Sequence, residues 1–246
     1  DNGAKPGVIN SIMKYHATEK FRTVINDAMD VLGGSAIIRG ENNLLAHAYF
    51  AIPISITVEG ANILTRNLMQ FGQGLIKSHP YIYTQINALN NKNVQIFDKA
   101  FFAHIGLVFN AFCKSLAYYL TRGKINCQKG YFQRYKQKLT WVSSEFTLLT
   151  NVALGILGPS LKKRENISAR FGDILSNCYL ITATLREFEN NPNEQDKDLV
   201  DYICNYCFNE IQIAREEIIS NIGFIGFLLP LVKINPFSIK AKDKLN

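Results

Sequence analysis

Apolar residues recur along this chain at intervals of three and four over long windows, and no segment shows the strict alternation of a half-buried strand. In the segment NVQIFDKAFFAHIGLVFNAFCKSLAYYLTRG, Phe97, Phe101, Ile105, Val108, Phe112, Leu116 and Tyr119 form one continuous helical stripe. Asn93 offers a cap ahead of that stripe and Gly123 a stop behind it. A second helix carries Phe132, Tyr135, Leu139, Val142, Phe146, Leu149 and Val152 and halts at Gly158-Pro159. A third, through Ile167, Phe171, Ile174, Cys178, Ile181, Leu185 and Phe188, ends in the Asn-Asn-Pro-Asn turn at 190–193. A fourth passes through Leu199, Ile203, Cys207, Ile211, Ala214 and Ile218. Four long amphipathic helices with short connections predict an up-and-down bundle.

The first 85 or so residues read differently, being richer in glycine. One amphipathic helix spans 7–32 and is ended by Gly33-Gly34, where the absence of Cβ lets backbone approach another group closely. A shorter helix over roughly 42–50 leads to Pro53, and another runs from Glu59 or Gly60 to about Ser78. The polar stretch NALNNKN at 87–93 predicts the domain boundary. The chain therefore reads as all-α, with one helical domain over 1–86 and a helical bundle over 93–246.

Composition narrows the function classes. With 246 residues and 47% hydrophobic content the chain can bury a sizeable core. Its net charge of +7 is spread out, with no basic block longer than the Lys-Lys-Arg at 162–164, so no nucleic-acid partner is expected. The cysteines at 113, 127, 178, 204 and 207 lie mostly within helical patterns, and only Cys204 and Cys207 have a tempting spacing. Without a second ligand pair they read as reduced helix thiols, and no metal site is expected. No signal peptide opens the chain, and its first residue, Asp1, suggests a piece of a longer protein. The apolar run at 222–232 is too short to span a membrane. Together with the rest of the tail to residue 240, it is expected to pack on the bundle, with at most weak membrane contact through its lysines.

One carboxylate stands out. Glu59 follows the β-branched run Ile56-Thr57-Val58 and precedes a glycine and the apolar residues Ile63, Leu64, Leu68 and Met69. Two readings stay open on the residues alone: an acid favoured by a helix N-terminus, or a lone base in an apolar frame of the kind that raises carboxyl pKa values. His16, His79 and His104 lack a carboxylate or cysteine at ligand spacing and read as ordinary helix residues. No Ser-His-Asp order, phosphate-binding loop or dinucleotide fingerprint occurs. In the polar stretch at 161–173, pairing of Arg170 with Asp173 is expected, ahead of any role in binding a phosphate.

The stretch VINDAMDVLGGSA followed by VEGANILTR resembles the C-terminal helical part of the acyl-CoA dehydrogenases. These enzymes carry a Gln-x-x-Gly-Gly-x-Gly-like element and then a Glu-Gly-Thr/Ala element. The continuation through FGQGLIKSHPYI and LKKRENISARFGDILS is similar to the bacterial long-chain acyl-CoA dehydrogenases of fatty-acid β-oxidation, with their extra C-terminal helical domain. That resemblance implies FAD as cofactor, a fatty acyl-CoA substrate and the trans-2-enoyl thioester as product. It implies Glu59 as catalytic base and Asp30, Gly33, Gly34, Gly60 and Asn62 as cofactor-binding residues. It further implies a homodimer for the full-length protein, an electron-transfer flavoprotein as acceptor, and a cytoplasmic location at the inner face of the bacterial membrane. Asp30 stands where most members have Gln, Ala36 where the last glycine of the motif usually sits, Ala61 for the common Thr, and His47 for an Arg. An anionic Asp30 beside a pyrophosphate would be repelled, so the contact expected of it is with a hydroxyl. The competing class is a non-catalytic helical module that binds a membrane or a partner.

Overall fold

A computed structural model describes residues 7–67, 72, 79–125 and 129–222, and no strand occurs among them. The chain divides into two compact units, Asp1–Gly74 and Leu75–Asn246.

In the first unit α1 (Gly7–Leu32) runs as expected and ends where Gly33, at φ +54°, starts a single 3-10 turn, Gly33–Ala36. The second helix begins later than the sequence suggests. Asn43 sets its start, because its side-chain oxygen accepts from the backbone N–H groups of Leu45 and Ala46 at 3.1 and 3.0 Å. The buried amide nitrogen of Asn43 donates back to the carbonyls of Ala36 and Ile38, tying the 3-10 turn to the next helix. α2 then runs Ala46–Thr57 with Pro53 inside it rather than beyond it. Proline removes one intrahelical donor, and burial of Ile52 against the unit's small core offsets that loss. The chain turns at 58–61 and resumes helix only at Asn62, as α3 (Asn62–Leu64), with 65–67 in wider π-type geometry. The later part of the helix expected to reach Ser78 lies outside the described residues, as does the tail from 223.

The second unit contains α4 (Ile82–Asn90), α5 (Val94–Thr121), α6 (Gln133–Leu157), α7 (Glu165–Asn190) and α8 (Lys197–Asn221). α4 occupies most of the polar stretch expected to be a boundary, and the units part between residues 74 and 75 instead. A tight turn through Lys92, at φ +52°, reverses the chain from α4 into α5. The side chain of Asn93 accepts from Ile96 N–H as the cap of α5, and Gly123 N–H returns to Tyr118 O at 2.7 Å at its end. α6, α7 and α8 bury a continuous core of Leu149, Phe171, Ile181, Phe208 and Ile218. α5 departs from the expected bundle. Of its apolar stripe, Phe101, Ile105 and Phe112 remain exposed and Phe97, Val108, Leu116 and Tyr119 are half-buried, while the fully buried residues of the helix are Ala100 and Ala111. Small residues let α5 approach its neighbours at two points, while the large ones line an open groove of about 830 Å³ with Ile82, Leu148 and Val152.

Candidate functional site

The Glu59 turn is built from two consecutive residues with positive φ, Glu59 at +58° and Gly60 at +95°. A non-glycine residue in this region carries strain on the order of 1–3 kcal/mol, so something must hold it there. That role belongs to Lys14 on α1. Its ammonium donates to Ile56 O at 3.0 Å, Gly60 O at 2.8 Å and Asn62 Oδ1 at 2.6 Å, which uses all three of its hydrogens. One acceptor lies before Glu59 and two after it. Asn62 is in turn fixed by α1, its amide nitrogen donating to Thr18 Oγ1 at 2.9 Å and Glu19 Oε1 at 2.7 Å. Thr65 Oγ1 adds a bond to Gly60 O at 3.3 Å.

The carboxylate of Glu59 projects from this clamp. It is exposed, and among the described residues it takes no hydrogen bond or ion pair. Val58, Ile63 and Leu64 beside it are also exposed, so the apolar frame seen in the sequence is present but open. Glu59 precedes α3 by a full turn of strained backbone and does not sit on a helix N-terminus, so the helix-dipole reading fails on geometry.

The expected cofactor residues separate into two groups. Asn62 is 3% exposed, with its amide oxygen and both amide hydrogens engaged inside the chain, so its side chain is a strut of the turn and not a ligand contact. Gly60 supplies the positive φ that the turn requires. Asp30, Gly33 and Gly34 lie at the other end of α1 and are exposed. From Glu19 to Gly33 the helix axis advances about 20 Å, so only an elongated ligand could reach both groups. Nothing lies within 4 Å of where a Cβ would stand on Gly33 or Gly34, which leaves their backbone open to approach. The last turn of α1 carries Asp30 and no basic residue, and a helix C-terminus is itself electronegative. This end suits hydroxyl donors, such as the sugar or ribityl part of a dinucleotide, better than phosphate.

Sequence reasoning missed Lys14, Thr18, Glu19 and Asn43. The available signal was Lys14 and Thr18, four apart on one helical face. It also misjudged two histidines in the second unit. His79 Nδ1 accepts from the N–H groups of Tyr81 and Ile82, capping α4, so its Nε2 carries the proton and donates to Asn151 Oδ1 at 3.2 Å. His104 Nε2 donates to the same oxygen at 2.6 Å, while Gln85 Nε2 lies 3.3 Å from His104 Nδ1. Burial, with His104 alongside, lowers the pKa of His79. Arg170 pairs with Asp173 at 3.2 Å. Burial pushes the Cys204 thiol up to about 12, leaving it inert near neutral pH. No metal-binding cluster of His, Cys, Asp or Glu occurs among the described residues. Cys127 lies outside them.

Two family models match the chain: "Acyl-CoA dehydrogenase, C-terminal domain" over residues 1–72, and "Acyl-CoA dehydrogenase, C-terminal, bacterial type" over 76–244. Among solved structures it is similar in fold to an acyl-CoA dehydrogenase complexed with FAD from Bacillus anthracis, with a TM-score of 0.67 at 16% identity. The likeness covers 94% of this chain and 38% of that one.

Proposed function

Since this chain belongs to the acyl-CoA dehydrogenase family, we propose that it supplies the catalytic base and one wall of the flavin site for dehydrogenation of long-chain fatty acyl-CoA to trans-2-enoyl-CoA in β-oxidation. The observation that carries the reading is the carboxylate of Glu59, exposed and without a hydrogen bond or ion pair among the described residues, held on a strained, clamped turn beside apolar residues.

An α-proton beside a thioester is weakly acidic, and a well-hydrated carboxylate is a poor base for it. The open frame of Val58, Ile63 and Leu64 offers an apolar acyl chain a surface to cover, and covering it strips water from Glu59. In this reading Glu59 takes the α-proton, and the clamp fixes the backbone from which its carboxylate reaches that proton. FAD, when bound, supplies the acceptor for the β-hydrogen, which leaves as hydride. Gly33 and Gly34 would approach it through open backbone, with Asp30 accepting from a hydroxyl. A homodimer, an electron-transfer flavoprotein as acceptor, and a cytoplasmic site at the inner face of a bacterial membrane complete the proposal.

A second reading, a helical module that binds a membrane or a partner, is favoured by one observation. α5 is long and apolar enough to cross a membrane, yet Phe102 and Phe109 stand 69% and 68% exposed on it. The two readings separate in one experiment on the full-length protein under anaerobic conditions. Long-chain acyl-CoA should bleach the flavin absorbance and yield trans-2-enoyl-CoA; a protein that neither holds flavin nor forms enoyl product, but sediments with anionic vesicles, is the module.

A further inference from the structure

We propose that Lys14 is the positioning residue of the reaction, holding the Glu59 carboxylate at the α-carbon through backbone it grips on both sides. This rests on Glu59 being the base. The ammonium does not touch the carboxylate; its three bonds go to Ile56 O, Gly60 O and Asn62 Oδ1. Ile56 O belongs to the last turn of α2, where carbonyls lack helical partners, and Gly60 O follows directly after Glu59. Binding both to one nitrogen fixes the length and direction of the segment between them, leaving Glu59 only its side-chain torsions. Asn62 extends the grip to Thr18 and Glu19, so the turn is referenced to three positions on α1. A half-buried lysine that spends every hydrogen on one turn does more than cover surface.

The test uses the full-length flavoenzyme with Lys14→Met, Lys14→Arg and Glu59→Gln, measuring kcat, KM, flavin content and the isotope effect of α-deuterated acyl-CoA. Misplacing a reacting group by about 1 Å costs on the order of 10- to 100-fold in rate, and Lys14→Met should lower kcat by about that factor. KM and flavin content should stay within about twofold of wild type, because substrate and cofactor contacts are intact. The α-deuterium isotope effect should grow as proton abstraction becomes slower, and Lys14→Arg, which keeps the charge and donors in a different geometry, should fall between. Wild-type kcat in Lys14→Met beside an inactive Glu59→Gln overturns the proposal, as does a loss of flavin in proportion to activity. Full activity in Glu59→Gln removes the base reading and this proposal with it, and is recognisable as that separate failure. If Lys14→Met does not accumulate folded, Thr18→Val loosens Asn62 more gently. It should lower kcat about 2- to 5-fold at constant KM, a smaller misplacement of the same kind, and unchanged kcat there also overturns the proposal.

Discussion

Glu59 and Gly60 are the two residues whose backbone pays for the site, and they differ in what they tolerate. At φ +95°, Gly60 lies where an added Cβ is strained, so Gly60→Ala should cost about 1–3 kcal/mol of stability as well as turnover. Gly34 has an ordinary φ and open space around it. Gly34→Ala should leave the melting temperature unchanged or slightly raised and lower only the flavin content of the full-length protein. An unchanged flavin content would release Gly34 from any cofactor role. His79 gives a pH dependence whose sign follows from its hydrogen bonds. Protonation of Nδ1 destroys the acceptor for Tyr81 and Ile82, beside His104, Gln85 and Asn151. Its folded pKa is lowered from 6.5, so its contribution is present above that value and lost as pH falls below it. The urea midpoint of the wild type should fall as the pH drops below 6.5, and His79→Asn, which can still cap, should flatten the fall. Parallel slopes would mean that other groups control acid stability. The end of α1 at Gly33-Gly34 was legible in the sequence because a short local stretch encodes it, whereas the turn at Glu59 was read as the start of a helix. Lys14, with acceptors 42, 46 and 48 positions away, and His79, with one 72 away, were not legible.

Among the elements, the long helices of the bundle were legible because each carries an uninterrupted apolar rhythm, and α5 its Asn93 cap as well. α4 was not, since its nine residues give too few turns to show a period and its end is polar. The stripe on α5 was legible as a stripe, but its open side was not, because periodicity shows which face is apolar and not whether anything covers it. Ala111 is buried and Phe102 and Phe109 are exposed, so Ala111→Leu should destabilise the bundle by about 1–3 kcal/mol, whereas Phe102→Ser with Phe109→Ser should change stability by roughly 0.5 kcal/mol or less at each site. Urea unfolding measures both, and the reverse order would place the aromatic face in the core. α6 and α8 are joined by a buried ion pair, Arg215 Nε to Glu145 Oε1 at 2.7 Å, with the guanidinium over Trp141. The other two guanidinium nitrogens are buried without a partner. Burial pushes the Glu145 carboxyl up against the opposing pull of Arg215. Removing Arg215 alone should cost about 3–5 kcal/mol, and Glu145→Leu with Arg215→Met far less.

At the scale of the whole molecule, the chain is two helical units whose large exposed apolar area is concentrated in the first unit and on α5. Among its described residues the first unit buries only a few side chains, such as Ile12, Ile25 and Ile52, and leaves Val31, Ile37, Leu44 and Ile63 exposed. Residues 1–246 match 38% of the FAD-bound enzyme they are similar to, and the candidate site consists of an exposed carboxylate on a turn clamped to α1 and an open glycine pair about 20 Å further along that helix. A ligand that loses much of its contact area cannot offset the several kcal/mol that binding costs in lost freedom, so residues 1–246 alone should purify colourless. The central claim is that Glu59 is the base, and its most direct measurement is single-turnover reduction of the full-length flavoenzyme by long-chain acyl-CoA. Glu59→Gln keeps the size and the turn but removes the basic oxygen. Flavin content and melting temperature should match the wild type while the rate of reduction falls by about 10²- to 10⁴-fold. Reduction at the wild-type rate would contradict the account.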